Sequence, residues 1–464
     1  VADRAPRAPR SGRRADLLLA LGLLVLIGPL IQEWSSQPAS RYLLTVAAVD
    51  DRTLELDRYE SLIGIDQARY RDHLYSDKAP YQPLGAAPPY ALFRLAGGDA
   101  FPAGWEERGV DALLDGRHLG LWWVTVWSSL VPAIALAWLT RRMVAVEHPD
   151  VATPVAAAMA FGTTLLPFSS LLFAHVLAAL LVAAAWQLLR RDGSGLREAG
   201  LAGLCLGLGI GVEYSVAALA VLFLLTQARH LRSAAALSVG TVVGTLPLML
   251  YNWLVFEDPF EVSYQGHLPN FQGEGALGVY NLEVPQLDEI ARALFGGRGL
   301  FVLTPIMLLA FAGCALALQS GTARMRRDAV VALAGFALML ALSTGIDGIG
   351  GDSPGPRYLI PALPLLALPL AEAWRRYPVL GIGTTAIGVV AMTAATITDP
   401  IAPALRDWLL HLRDGELATN VFTGRGATWP VVVSTIAGLA IVVHLLRPDR
   451  QGSSIPQRSS GSSS

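Results

Sequence analysis

Residues 13–31 read RRADLLLALGLLVLIGPLI: two arginines and an aspartate, then fifteen residues without a charge. With Arg4, Arg7 and Arg10 upstream, a basic head precedes an apolar run. That outline matches a secretory leader, but no small-residue cleavage pattern follows, so the segment reads as a retained membrane anchor. Eleven more apolar runs lie near 119–140, 152–167, 169–189, 198–212, 214–227, 232–254, 299–318, 328–345, 357–373, 378–397 and 429–446. A span needs about 20 apolar residues. The pattern therefore predicts an all-α polytopic membrane protein of about twelve transmembrane helices. The pair at 198–227 is the tightest, because Arg197 and Arg229 enclose it and Glu213 sits in its middle.

Composition agrees. Of the 464 residues 53% are hydrophobic and 16% charged, against about 25% charged in soluble domains, and mean hydropathy is +0.46. A soluble enzyme, a disordered chain and a disulfide-built secreted domain are excluded. A net charge of -2 with no basic block leaves no footprint for nucleic acid. Cys205 and Cys314 both fall inside apolar runs, which points to neither redox nor metal chemistry.

Arginine placement orients the spans. The pairs Arg141–Arg142, Arg190–Arg191, Arg326–Arg327 and Arg375–Arg376 share one side with the basic N-terminus and with Arg447 and Arg450. The opposite side carries the long segments 33–118, 255–298, 346–356 and 398–428, mixed in charge. Both termini are expected in the cytoplasm: a basic stretch at 1–15, an integral membrane domain at 16–446 and a disordered tail at 447–464. Two outer segments are amphipathic at helical spacing, Leu287, Ile290, Ala291, Leu294 and Phe295 in one, Leu405, Trp408, Leu409 and Leu412 in the other. Helices of that kind lie in a membrane surface. A transporter or flippase would carry polar residues along its spans; here they gather in the outer loops, as suits an enzyme acting on a lipid with a polar head.

The first outer loop is rich in carboxylates (Asp50, Asp51, Asp57, Asp66, Asp77) and cations (Arg41, Arg58, Arg71, Lys78). Its segment YSDKAP, from Tyr75, places Asp77 beside Lys78, the only lysine in an arginine-rich chain. A compact ammonium and a planar guanidinium are not interchangeable at a tight site. The plain alternative is a solvated loop whose charges pair with one another. A second cluster, GGDSPGPRYL, delivers Arg357 and Tyr358 to a helix end. An arginine there binds phosphate in bidentate fashion or snorkels to headgroups; Arg298 in GGRGLF carries the same two readings. His175 inside a span is a catalytic candidate or a packing group, and Glu213 is an intramembrane carboxylate. Asn252 is expected to orient the chain leaving its helix. No Walker loop, HExxH pair, nucleophile elbow or dinucleotide fingerprint is present.

At these residues the sequence resembles the C-type (GT-C) superfamily of membrane glycosyltransferases, over most of its length. The likeness rests on SRYLLTVAAVDD and YSDKAP, on YNWLVFEDPF with GGRGLFVLTP, and on GGDSPGPRYLIPALPLLALPL. It is nearest to bacterial integral-membrane proteins with YSDKAPG-like and GPRYL-like signatures, and more distantly similar to aminoarabinose and protein O-mannosyl transferases. In the latter, Asp-Glu-x-Arg-Tyr and Glu-Lys-Pro-Pro elements mark the first loop. Arg41 and Tyr42 match the Arg-Tyr pair; Asp77, Lys78 and Pro80 match the acid, lysine and second proline. Pro38 and Ala39 stand where the acidic pair is expected, and Tyr81 follows the proline where relatives have glycine.

The resemblance implies transfer of a sugar from a polyprenyl-phosphate donor to a glycan, glycolipid or protein acceptor. The reaction would run at the extracytoplasmic face of a bacterial plasma membrane, with inversion. A non-catalytic descendant of the same fold is a further alternative. A carboxylate base must reach the acceptor hydroxyl, and cations must meet the developing phosphate charge. Asp57 is the expected base and Asp77 its rival. Lys78, Arg41, Arg357 and Arg298 are expected on the phosphate, with Tyr75, Asp66, His175, Glu213 and Tyr358 as further pocket candidates. A divalent ion, Mg2+ or Mn2+, bridging carboxylate and phosphate would suit this chemistry, but no ligand spacing marks one.

Overall fold

The computed structural model describes residues 10–447 apart from 33, 116, 192, 265–266, 268–282, 347–350, 352 and 403. The basic stretch before residue 10, part of the 255–298 loop and the tail beyond 447 therefore lie outside the described residues. Among the described residues four helices are long and apolar enough to cross a membrane: Leu119–Ala145, Leu231–Phe256, Ala323–Gly345 and Pro378–Ile397. Leu287–Leu303 and Ile306–Ser320, bent by 94° at their junction, supply a fifth if they act together. The expected count of twelve is not confirmed, and the reason is physical. Hydropathy registers an apolar run whether or not its backbone is continuous. The run at 152–167 is a helix Ala152–Phe161 and a separate turn Leu165–Phe168. A ten-residue helix rises about 15 Å, half of a hydrocarbon core of about 30 Å. The run from 357 opens as a tight 3-10 segment Arg357–Leu366 containing Pro361 and Pro364, then continues as Ala367–Arg376.

Both amphipathic helices form, at Leu287–Phe295 and Leu405–Asp414. Two short antiparallel strand pairs qualify the all-α expectation. Leu30–Ile31 pairs with Thr419–Asn420, and Gln67–Tyr70 pairs with His73–Ser76 in the register Gln67↔Ser76 to Tyr70↔His73. The second pair turns through Arg71 and Asp72, both at positive φ (48° and 66°), the two-residue geometry that matches strand twist.

The helices Leu196–Val212 and Leu231–Phe256 touch through their backbones. A Cβ on Gly203, Gly207, Gly240 or Gly244 would overlap main-chain atoms of the partner helix, which is small-residue packing of the kind membranes favour. Pro247 interrupts the second helix. There Tyr81 repairs the ladder: its hydroxyl accepts from Leu248 N–H (2.6 Å) and donates to Gly244 C=O (2.9 Å). The residue that departs from the YSDKAPG pattern thus splints the first loop to this helix pair.

At the arginine-rich end, Arg190 is 4% exposed and Asp328 3%. The guanidinium donates from Nη2 to Asp328 Oδ2 (2.7 Å) and to Glu147 (2.6 Å), and from Nε to Asp328 Oδ1 (3.3 Å). Trp186 Nε1 donates to the same carboxylate at 3.0 Å.

Candidate functional site

The helix Ser36–Val46 is buried from Pro38 onward, and it presents Ser40 and Arg41 to the segment that leaves the hairpin. That segment, Ser76 to Pro80, puts Asp77 and Lys78 inside the protein at 1% and 4% exposure. Lys78 Nζ donates to Asp66 Oδ1 (2.8 Å) and to Asp77 Oδ2 (2.6 Å). Ser40 Oγ donates to Asp77 Oδ1 at 3.0 Å and lies 2.9 Å from Ser76 Oγ. From above, Ser263 Oγ donates to Asp77 C=O at 2.6 Å. Burial pushes the Asp77 carboxyl up from its ordinary value; the Lys78 ammonium pulls against that push and Asp66 adds to it. The solvated-loop alternative fails for these three charges, which are among the most buried in the molecule.

Beside this triad stand two guanidiniums that make no ion pair among the described residues. Arg41 donates only to Gln37, from Nη1 to Oε1 at 2.8 Å and to C=O at 3.3 Å, and its Nε is buried without an acceptor. Arg357 lies over Tyr358 (5.3 Å) and over Phe173 (5.8 Å), and Arg41 over the same Phe173 ring (5.7 Å). One aromatic ring therefore gathers two cations, an arrangement that tolerates positive charge; Arg357 is also hydrogen-bonded to Tyr358, and Arg41 Nε is left as a donor for an anion. Glu213 lies within electrostatic range of Arg41, Arg357 and Lys78. His175 Nδ1 is 3.4 Å from Glu213 Oε2, with Tyr358 edge-on to the His175 ring at 5.7 Å. His175, expected inside a span, is the first residue of the helix His175–Leu189.

The structure thus brings together Arg41, Asp66, Asp77, Lys78, His175, Glu213, Arg357 and Tyr358. Tyr75 joins the rim, packed with Tyr251 and Phe256. Arg298 braces the segment before Arg357 by donating to Gly351 C=O (3.2 Å) and Ser353 C=O (3.4 Å).

Asp57 does not enter this set. Its side chain is 44% exposed; Oδ1 accepts from Leu74 N–H (2.6 Å) and Oδ2 lies 2.6 Å from His73 Nδ1. Partial burial works to raise this carboxyl, but the bonds from His73 and Leu74 outweigh it and hold it below its ordinary value. The same contact, with Glu55 adding to it, raises His73. Glu55, Asp57 and His73 are the one described group whose ligating atoms converge closely enough for a metal ion, and all three are exposed. In the buried triad the Lys78 ammonium itself occupies the position between two carboxylates where a divalent ion would sit.

Ser40, Phe173 and Ser263 were not among the sequence candidates. Ser40 stands inside the SRYLL motif, one residue before Arg41, and could have been found there; Phe173 lies in an apolar run and carries no such signal.

The profile of glycosyltransferase family 87 matches residues 112–344, half of the chain. No curated protein sequence matches. Among solved structures, the fold is similar to the crystal structure of ArnT from Cupriavidus metallidurans bound to undecaprenyl phosphate: TM-score 0.52 at 14% identity, covering 95% of this chain and 77% of that one. The same enzyme in the apo state matches at TM-score 0.52 and 14% identity, over 94% and 77%.

Proposed function

The chain belongs to glycosyltransferase family 87, and on that premise we propose that it transfers a sugar from a polyprenyl-phosphate donor to an acceptor hydroxyl. The observation that carries this reading is the pair of guanidiniums, Arg41 and Arg357, held against Phe173 without carboxylate partners, next to a buried carboxylate of raised pKa. A lipid phosphate supplies the missing anion. The similarly folded ArnT is bound to undecaprenyl phosphate in its crystal structure, which supports the same donor class here.

In the proposed reaction Asp77 takes the proton from the acceptor hydroxyl as its oxygen attacks the anomeric carbon. The bond from that carbon to the phosphate oxygen breaks, and its electron pair leaves with the polyprenyl phosphate. Arg41 and Arg357 meet the charge that develops there. One base and one displacement give inversion. Lys78, bonded to both Asp66 and Asp77, favours the ionised form of Asp77 against the push of burial rather than gripping phosphate. A base with a raised pKa removes a proton more effectively once ionised. Asp77 thereby replaces Asp57 as the proposed base. The acceptor is a glycan, glycolipid or protein, and the reacting face is the extracytoplasmic side of a bacterial plasma membrane, with both termini inside.

The test is purified protein in nanodiscs given polyprenyl-phosphate sugars and an envelope-lipid extract as acceptor. Wild type should form a glycosidic product and release polyprenyl phosphate, and Asp77→Asn should bind donor yet release that phosphate far more slowly. Movement of the lipid across the bilayer without a new glycosidic bond would replace transfer by transport.

A further inference from the structure

Buried polar atoms left without partners record what a site is built to receive, because each costs stability until something pairs with it. On the phosphate side Arg41 Nε is a donor without a partner, and Gln82 Oε1 and His175 Nδ1 make no hydrogen bond either. Others stand at the end of the Leu231–Phe256 helix. Asn252 is 2% exposed; its Nδ2 donates to Pro259 C=O (3.4 Å), and Oδ1 has no partner. Tyr251 is 4% exposed, and its hydroxyl has no partner either. Tyr251 belongs to the same buried cluster as Tyr75, and its hydroxyl lies within electrostatic range of Asp77 and Tyr214. The descending chain that Asn252 orients carries Ser263, which holds Asp77, and Tyr264, which stands edge-on to Tyr214 at 5.8 Å.

An amide oxygen only accepts, whereas a phenol both donates and accepts. A phosphate oxygen cannot satisfy Asn252 Oδ1, because it brings no proton. A sugar satisfies both atoms, since each of its hydroxyls donates and accepts. We propose, resting on the glycosyl-transfer reading above, that Tyr251 and Asn252 form the subsite that recognises hydroxyl groups of the donor sugar. On this reading Arg41 Nε is an unpaired donor for the phosphate, and the Tyr251 hydroxyl and Asn252 Oδ1, at the end of the Leu231–Phe256 helix, take the sugar. Tyr251 and Asn252 are specificity-determining residues, with the proton transfer left to Asp77.

The experiment is equilibrium binding to full-length protein in nanodiscs. The probes are farnesyl phosphate and a panel of farnesyl-phosphate mannose, glucose and arabinose. Wild type should bind at least one glycosylated probe about tenfold more tightly than bare farnesyl phosphate. Tyr251→Phe and Asn252→Ala should each reduce that preference by about fivefold to tenfold, roughly one lost hydrogen bond. Affinity for bare farnesyl phosphate should stay unchanged. Removing a hydroxyl that has no partner should leave the melting temperature of Tyr251→Phe unchanged or raised, which a merely structural role would not allow. If both variants keep the wild-type preference, or lose bare farnesyl phosphate in equal proportion, the subsite assignment is overturned while the donor reading stands. Failure of wild type to bind farnesyl phosphate at all would overturn both.

Discussion

Two buried charge clusters sit at opposite ends of this bundle, and they differ in how completely they are satisfied. At the arginine-rich end, Arg190 and Asp328 exchange bidentate bonds, Glu147 takes a further donor and Trp186 Nε1 a further acceptor site. Those four side chains all bond within the set, although His148 Nδ1 close by is buried without a partner. At the loop-rich end, Lys78, Asp66 and Asp77 are equally buried, but Arg41 Nε, Tyr251 Oη and Asn252 Oδ1 beside them are left without partners. A fully paired cluster fixes the packing of helices and needs nothing more. A partly paired one keeps hydrogen-bonding capacity that a ligand can use. The difference teaches that burial alone does not mark a site; what distinguishes the loop-rich end is two guanidiniums without carboxylate partners beside such unpaired atoms.

The largest effect should separate catalysis from stability. Asp77→Asn keeps size and Ser40's partner while removing the base, so turnover should fall by about 10²–10⁴-fold, with donor affinity within a factor of about three. Because burial raises Asp77, the ionised base is gained as pH rises. Wild-type turnover should therefore climb with pH along an acid limb lying above the ordinary carboxylate range of about 4. A limb at or below that range would break the proposed role.

The arginine-rich cluster should respond in the opposite currency. Asp328→Ala leaves the buried Arg190 with Glu147 as its remaining carboxylate partner, and should destabilise by about 2–4 kcal/mol, read as a lowered melting temperature. The paired change Arg190→Met with Asp328→Leu should recover most of that loss. If the protein instead kept its stability and lost lipid binding, the contrast between the two ends would be reversed.

Arg41→Gln should weaken farnesyl phosphate binding about tenfold or more, the scale of a charge-assisted hydrogen bond, without lowering the melting temperature. No carboxylate among the described residues is abandoned by the change.

The smallest effect belongs to the exposed pair on the hairpin. Asp57→Asn should leave turnover within about twofold of wild type, checked in the same assay. Its signature is local. Asp57 raises His73, so the variant should return the His73 titration, followed by NMR, toward about 6.5. The sign runs both ways: the contact stabilises the hairpin between the lowered Asp57 value and the raised His73 value. It is lost upward as His73 deprotonates and downward as Asp57 protonates. A large loss of turnover would restore Asp57 as base.

Much of the loop-rich cluster was legible in the chain itself. A lysine standing alone among arginines, with an acid on its N-terminal side and prolines after it, marked Lys78 and Asp77, and the GPRYL segment marked Arg357 and Tyr358. The base was harder to choose, because a charge count cannot say which side of a short hairpin is hidden. That is settled by two residues at positive φ, Arg71 and Asp72, and by the alternation that turns His73 outward and Leu74 inward. Phe173 was unreadable for a different reason. In a stretch where nearly every residue is apolar, no pattern distinguishes a ring that gathers two arginines from one that packs. The spans suffered the same blindness: hydropathy saw twelve runs, whereas the breaks at Phe161 and before Ile306 are features of backbone geometry.

The central claim is that Arg41 and Arg357 together grip the phosphate of a lipid. The most direct measurement is a cryo-electron-microscopy structure of the protein in nanodiscs with farnesyl phosphate. The account predicts phosphate density with oxygens about 3 Å from both guanidiniums, on the edge of Phe173 and beside Asp77. Density held elsewhere, with both guanidiniums unengaged, would contradict it.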